Sequence, residues 1–127
     1  MDYTIKNLRE VEDQAPKFGF DQVQEARFPY RDLEAETIGM AFHRVKPGQR
    51  QGFAHRHEQA EEIYVILAGS GRVKLDDEFV DLIELDAVRV GPGTTRMLEA
   101  GPAGLEVLIF GAHVDGDVEP VSEFWTS

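Results

Sequence analysis

Cysteine is absent from this 127-residue sequence. Its absence excludes a disulfide framework, a zinc–thiolate site and a thiol nucleophile. It fits a reducing compartment, and we therefore expect a cytoplasmic protein. Long hydrophobic runs are absent as well. The longest, residues 63–68, is far shorter than the roughly 20 apolar residues that a membrane-spanning helix needs.

Basic residues are scarce, with 13 Lys and Arg against 24 Asp and Glu and a net charge of −11. Such a surface repels phosphate backbones and anionic membranes, so we expect no nucleic-acid or membrane partner. The acidic excess is typical of a solubilising surface. The first 14 residues are charged and lack an apolar segment, so we expect neither a secretory signal nor a transit peptide.

Helical signals are few. Asn7 followed by Glu10 has the form of a capping box, which predicts a short N-terminal helix over residues 8–14, ended by Pro16. The rest of the chain alternates short apolar segments with Gly and Pro turns, which favours an all-β sandwich or barrel. The predicted strands are residues 37–45, 52–57, 62–67, 72–75, 79–85, 87–90, 96–99 and 105–112. Residues 121–125 predict one helical turn, whose Phe124 and Trp125 cover an end of the barrel or a partner subunit.

Two histidines one residue apart carry the clearest chemical signal. His55 and His57 project from the same face if their segment is extended, because side chains alternate along a strand. Glu62 begins the next predicted strand after a loop of four residues, and so short a connection makes the two strands neighbours. Two imidazoles and a carboxylate that converge form a ligand set for a divalent transition metal. The spacing alone also permits an exposed His pair and a solvated Glu.

The stretch from His55 to Gly69 resembles the first signature motif of the cupin superfamily, with two His, a Glu and a Gly at similar spacings. Pro47 and Gly48 resemble the turn that often leads into that motif. The likeness spans roughly residues 37–111. It implies a jelly-roll barrel, or double-stranded β-helix, with a site in its mouth. We expect residues 1–127 to form a single cupin domain with its core barrel at about 37–112.

The second cupin motif is altered. Leu85 stands where the motif begins with Gly, and Gly91 stands where it has Pro. Gly93 and the acidic residue Asp86 keep the usual pattern. The resemblance implies that Arg96 occupies the position of the His that supplies the fourth metal ligand.

Arg96 leaves three arrangements open. It pairs with Glu62 or Glu61 and replaces the ion, because a fixed cation beside a divalent ion is unfavourable. Alternatively, His55, His57 and Glu62 hold Zn, Fe, Mn or Ni without a fourth protein ligand. Arg96 then swings away or holds an anionic ligand that bridges to the metal. A third arrangement recruits another imidazole, and the histidines concerned are His43 and His113.

The resemblance implies a cupin that binds a small polar or anionic molecule in its barrel. As an enzyme it would be a metal-dependent oxygenase or isomerase of a small organic acid, with Arg96 on the substrate carboxylate. As a binding module or an idle structural barrel it would be metal-free. Tyr64 and Phe53 are expected to line the ligand cavity as aromatic walls.

A homodimer is expected, since single-domain cupins commonly pair. Ile63, Val65 and Leu67 form an apolar stripe opposite the cavity-facing residues of their strand. A second sheet, the terminal segments or a second subunit must cover that stripe.

Overall fold

Eight antiparallel β-strands form one continuous sheet in residues 1–126, the part of the chain that the computed structural model describes. The all-β prediction is thereby confirmed. Residue 127 lies outside that range, and the assignment of residues 1–127 to a single domain stays a prediction. The strands are β1 (Gln24–Arg27), β2 (Ile38–Val45), β3 (Ala54–His57), β4 (Glu62–Leu75), β5 (Glu78–Leu82), β6 (Ala87–Val90), β7 (Arg96–Ala112) and β8 (Val118–Val121).

Two long strands, β4 and β7, organise the sheet. They pair with each other along most of their length; β7 also pairs with β2 and β3, and β4 also pairs with β5 and β6. The prediction that each consists of two shorter strands was wrong. The glycines taken for a break in β4 lie at register shifts within it, and a Cβ on Gly69 would meet the carbonyl oxygen of Gly104 at 2.0 Å. Glycine therefore permits a close backbone approach here rather than ending the strand.

The N-terminal region contains two 3-10 turns, Leu8–Glu10 and Ala15–Phe18, so the predicted helix over residues 8–14 was wrong. Asn7 does cap the first turn, since its side chain accepts from the backbone N–H of Arg9. The first turn ends at Val11, whose backbone is extended, and the Asp13 carboxylate then accepts from the backbone N–H groups of Ala15 and Ala26. These bonds tie the segment to β1.

The core lies between the faces of the curled sheet. In β4, Tyr64 and Ile66 are 1% and 0% exposed, whereas Ile63 is 43% exposed, as the alternation of side chains predicts. The apolar stripe that includes Ile63 is therefore only partly covered within the described chain, and the homodimer stays a prediction. The buried apolar cluster comprises Ala41, Val45, Tyr64, Ile66, Val73, Leu82, Val90, Leu98, Ala100, Leu105, Val107 and Ile109.

The C-terminal segment adds β8, a strand that the sequence did not predict, beside β3. The helical turn expected at residues 121–125 was wrong, because Val121 ends β8 and a turn follows. Trp125 is nevertheless buried, with the guanidinium groups of Arg50 and Arg72 at 4.6 and 5.1 Å from its ring. Among residues 1–126 there is no helix of the length and apolar character that crossing a membrane requires.

Candidate metal and ligand site

Three strands bring the sequence-predicted residues together. His55 and His57 lie on β3, Glu62 begins β4, and Arg96 begins β7 directly opposite His55. The Nε2 atoms of His57 and His55 lie 3.2 and 4.0 Å from Oε1 of Glu62. One potential ligand atom from each of these three residues lies within 4.8 Å of the others. The arrangement follows from strand parity and from the short loop between β3 and β4.

Asp117 orients His57. The Nδ1 atom of His57 lies 2.8 Å from the backbone carbonyl oxygen of Asp117. A carbonyl only accepts, so Nδ1 of His57 carries a proton and donates it to this bond. The Asp117 carboxylate also accepts from the backbone N–H groups of residues 58, 59 and 60.

Sequence reasoning missed Asp117, since it is 60 residues from His57 and contacts it only after folding. Burial alone would raise the pKa of Asp117, but the backbone N–H donors of Ala60, Gln59 and Glu58 hold that pKa below its ordinary value. Asp117 therefore stays ionised and fixes the loop that joins the two ligand-bearing strands.

Arg96 is 0% exposed, and each of its three guanidinium nitrogens has a protein partner. Nη2 donates to Oε1 of Glu62 at 2.6 Å, and Nε donates to the Tyr64 hydroxyl at 3.2 Å. Nη1 donates to the backbone carbonyl of Thr94 at 2.8 Å. This geometry matches the predicted pairing of Arg96 with Glu62, and it leaves Arg96 no surface for a ligand.

Electrostatics favour a charged Glu62 and a neutral His55. Burial opposes ionisation of Glu62, but His55, His57 and Arg96 together hold the pKa of Glu62 well below its ordinary value. Burial lowers the pKa of His55. The hydrogen bond with Glu62 acts in the opposite direction, and the positive charge of Arg96 lowers that pKa further. Burial and the negative charge of Glu62 raise the pKa of Tyr64, so its hydroxyl keeps its proton. At neutral pH Glu62 is therefore ionised, and the guanidinium of Arg96 offsets its charge.

His55, His57 and Glu62 line a cavity of ≈ 920 Å³. Phe53 lines it, as predicted, and is 40% exposed. Tyr64 instead lies in the core, at 1% exposure, and contacts Arg96. The lining is mainly apolar and includes no Lys or Arg among the described residues. Its larger apolar members are Phe18, Phe20, Phe28, Tyr30, Met40, Phe53, Ile109, Val114 and Val118.

The two further histidines also line this cavity, but neither belongs to the His55–His57–Glu62 group. His43 is 9% exposed, and its Nδ1 lies 2.9 Å from Nε2 of Gln51. His113 stacks on Tyr30 with ring centroids 3.8 Å apart, and its Nε2 lies 2.8 Å from a carboxylate oxygen of Asp115. Within residues 1–126, the structure therefore does not place a third imidazole beside the pair.

Two residues of the altered second motif have a left-handed backbone. Leu85 adopts a φ of 70°, a left-handed conformation that favours the Gly usual at this position. Gly93, at φ 82°, donates its backbone N–H to the carbonyl of His57 at 2.7 Å. The turn before β7 therefore still aims residue 96 at the site, where this chain carries Arg instead of His.

The three ligating side chains fit a divalent transition metal. Atoms bound to one ion at about 2.0–2.2 Å lie roughly 3–4.4 Å apart. The separations of 3.2 and 4.0 Å from Glu62 fall in that range. The carbonyl of Asp117 sets the His57 tautomer, and Arg96 hydrogen-bonds the carboxylate, as the outer partners of metal ligands commonly do. His55, His57 and Glu62 would hold the ion.

Solved structures with the same fold include a cupin protein from Bacteroides fragilis, with a TM-score of 0.71 and 21% identity over 100% of this chain and 97% of that one. Oxalate decarboxylase from Bacillus subtilis gives a TM-score of 0.74 and 21% identity over 93% of this chain, which spans 33% of the decarboxylase. KdgF from Halomonas sp. gives a TM-score of 0.60 and 17% identity over 91% of this chain and 89% of KdgF. No curated protein matches the sequence. The family model of the cupin domain matches residues 41–107, which are more than half of the chain. The chain therefore belongs to the cupin family.

Proposed function

We propose that this cupin binds a small organic anion with an apolar body, through a divalent transition metal held by His55, His57 and Glu62. The observation that carries the proposal is the convergence of these three side chains in the wall of a mainly apolar cavity. Zn, Fe, Mn and Ni all suit two imidazoles and one carboxylate. When bound, the metal would act as a Lewis acid toward an oxygen of the ligand.

The charges of the site explain the preference for an anion. Glu62 contributes one negative charge, and Arg96 offsets it with a bond of 2.6 Å. His55 and His57 add no negative charge as neutral ligands. Because the charges of Glu62 and Arg96 cancel, a divalent ion held here would keep both of its positive charges. A carboxylate of the ligand would be attracted to that ion, and the attraction is strong at low dielectric. No Lys or Arg in the described cavity lining competes for that carboxylate.

The cavity sets the shape of the ligand. Its volume of ≈ 920 Å³ lies within the range of sites that take drug-sized molecules. Phe20, Phe28 and Phe53 offer aromatic faces to an apolar body. The anionic end would face His55 and His57, and the apolar end would point toward the mouth.

A metal-free binding cupin is the second candidate, and the Arg96–Glu62 pair favours it. The guanidinium of Arg96, at 2.6 Å from the carboxylate, neutralises the charge of Glu62 as a bound metal ion would. In that arrangement, the cavity binds the apolar body, and the imidazoles contribute hydrogen bonds. Arg96 remains structural, because it is 0% exposed.

Calorimetric titration with Zn²⁺ and Ni²⁺ at neutral pH distinguishes the candidates. The wild type is compared with His57→Ala and with the matched control His113→Ala, which also changes a cavity-lining His. We expect one equivalent to bind to the wild type and to the control, and His57→Ala to lose at least tenfold in affinity. Phenylacetate should then bind more tightly to the Zn²⁺-loaded protein. Phenylacetate binding without any metal binding would support the metal-free candidate, and binding of neither would contradict both.

A further inference from the structure

The strand that carries the two candidate ligand imidazoles depends on β8 for most of its pairing. β3 pairs with β7 at one position, where His55 lies opposite Arg96. β8, in contrast, pairs with all four residues of β3. β8 is itself an edge strand, and within residues 1–126 no second strand pairs with it. Whatever holds β8 in place therefore supports one side of the strand that carries His55 and His57.

Contacts on both sides of β8 hold it to the rest of the sheet. Asp117, directly before β8, bonds to His57 and to the loop that follows β3. On the other side, β8 ends at Val121 and two exposed residues follow. Trp125 then returns to the protein and is only 7% exposed. The indole is thus the buried contact that follows β8.

Trp125 lies in a cradle formed by Arg50, Arg72, Phe79 and Glu99. The guanidinium carbons of Arg50 and Arg72 lie over the indole, and the Phe79 ring meets it edge to face at 5.3 Å. The Glu99 carboxylate accepts from Nε of Arg50 at 2.7 Å and from Nε of Arg72 at 2.8 Å. Cations are attracted to the face of an aromatic ring, and Trp is the best such ring. Glu99 therefore holds both cations where they attract the indole.

Two hydrogen bonds fix the backbone beside the indole. Nη1 of Arg50 donates to the carbonyl of Trp125 at 3.0 Å, and Nζ of Lys74 donates to the carbonyl of Phe124. The Lys74 ammonium also lies 4.3 Å from the centre of the Phe124 ring. Lys74 and Arg72 belong to β4, one of the two long strands that organise the sheet. The segment after β8 is thus bound to the most extensively paired part of the fold.

We propose that Trp125 is a positioning residue for the candidate metal site, because its seat in the cradle holds β8 on β3 and so keeps the two imidazoles directed at Glu62. The inference rests on the proposed metal-binding function. Without this contact, β8 would separate first at Val121, opposite Ala54, and the opening would reach the pair of His55 with Pro120 next. Metal affinity depends on ligands that are held in the binding orientation by their surroundings.

The first test needs no metal. Backbone amide hydrogen exchange is measured by NMR for the wild type, Trp125→Ala, Trp125→Phe and the control Tyr3→Ala, which changes an aromatic residue that is 68% exposed. We expect Trp125→Ala to exchange roughly tenfold faster in β3 and β8, while β2 and β4 keep their protection, because the opening is local. Trp125→Phe should restore part of the protection, and Tyr3→Ala should match the wild type.

Arg72→Gln is a milder variant that keeps the indole and removes one cation from its face. It should accelerate exchange of the same amides by roughly threefold, and it serves as the test if Trp125→Ala does not fold. Unchanged protection of β3 and β8 in the folded variants would overturn the proposal. An equal loss of protection in β2 and β4 would also overturn it, because Trp125 would then stabilise the whole fold rather than position β8.

The second test is Zn²⁺ titration of the same variants under conditions in which each is folded. We expect Trp125→Ala to lose roughly tenfold in affinity, Trp125→Phe to recover part of it, and Tyr3→Ala to bind as the wild type does. Equal affinity of Trp125→Ala and the wild type would overturn the positioning role. Failure of the wild type to bind Zn²⁺ would instead contradict the proposed metal site, and the hydrogen exchange would still decide whether Trp125 holds β8 on β3.

Discussion

Arg96 and Glu62 form an ion pair, with 2.6 Å between Nη2 and Oε1, in which the guanidinium is 0% exposed. The resemblance to the cupin motif implies a ligating His at position 96, whereas Arg96 forms a charge-assisted hydrogen bond with the carboxylate. It also leaves Glu62 in contact with His57, at 3.2 Å. One carboxylate thus links the permanent cation of the site to its imidazoles.

Glu62→Gln should lower the free energy of unfolding by about 3–5 kcal/mol, because it leaves the buried charge of Arg96 without its partner. Glu61→Gln is the matched control. Glu61 pairs with Arg89 at 2.7 Å, but both side chains are more than half exposed, and such a pair contributes about 0–1 kcal/mol. Urea denaturation of both variants measures the difference. Small and equal losses would show that the Arg96–Glu62 pair does not stabilise the fold.

Arg96→His should convert a three-ligand site into a four-ligand site and tighten Zn²⁺ and Ni²⁺ binding by at least tenfold. The change removes a cation that opposes the ion and adds an imidazole at a position that the turn through Gly93 aims at the site. Arg89→His, on the exposed pair, is the control and should leave affinity unchanged. Calorimetric titration at neutral pH checks both. An unchanged affinity in Arg96→His would mean that residue 96 does not occupy the ligand position.

The stability of the wild type should fall as pH is lowered from about 6.5 to about 4 because of His43. The pKa of His43 falls from an ordinary 6.5 to about 4 on folding. Between these values the unfolded chain binds a proton that the folded chain does not, so stability rises with pH. The slope is about 1.4 kcal/mol per pH unit for one group. Denaturation at several pH values should show a shallower slope in His43→Phe, which lacks this group, and equal slopes would contradict the assignment.

Leu85→Gly should raise the free energy of unfolding by about 0.5–1 kcal/mol. Leu85 has a φ of 70° and is 77% exposed, so glycine relieves strain with little loss of packing. Glu84→Gly is the control, because Glu84 is exposed and is not among the residues with positive φ. It should lower stability by a similar amount through the entropy of the unfolded chain. Thermal denaturation measures the change in the free energy of unfolding, which should be positive for Leu85→Gly and negative for Glu84→Gly.

The pattern of side chains along strands predicted that His55, His57 and Glu62 lie together. Parity alone placed Glu62 inside and Glu61 at the exposed rim, and it put His55 and His57 on the same face of their strand. These features depend on a period of two residues and on one short loop, both of which can be seen in the sequence. The pairing of Arg96 with Glu62 was among the alternatives that the motif left open.

The remaining features depend on tertiary contacts. The sequence of β1, Gln24–Arg27, is polar and lacks β-branched residues, and it forms a strand because β2 pairs with it. Asp117 reaches His57 from the far end of the chain. The side-chain amide of Gln51 contacts His43 and also accepts from the backbone N–H of Leu98 in β7. Local sequence contains no signal for such contacts.

The central claim, a metal held by His55, His57 and Glu62, is tested most directly by anomalous diffraction at the zinc edge from crystals grown with Zn²⁺. The account predicts a single strong anomalous peak per chain within bonding distance of both Nε2 atoms and of the Glu62 carboxylate, with Arg96 still bonded to that carboxylate. The absence of a peak there, with the Arg96–Glu62 pair intact, would contradict it and leave the metal-free cupin.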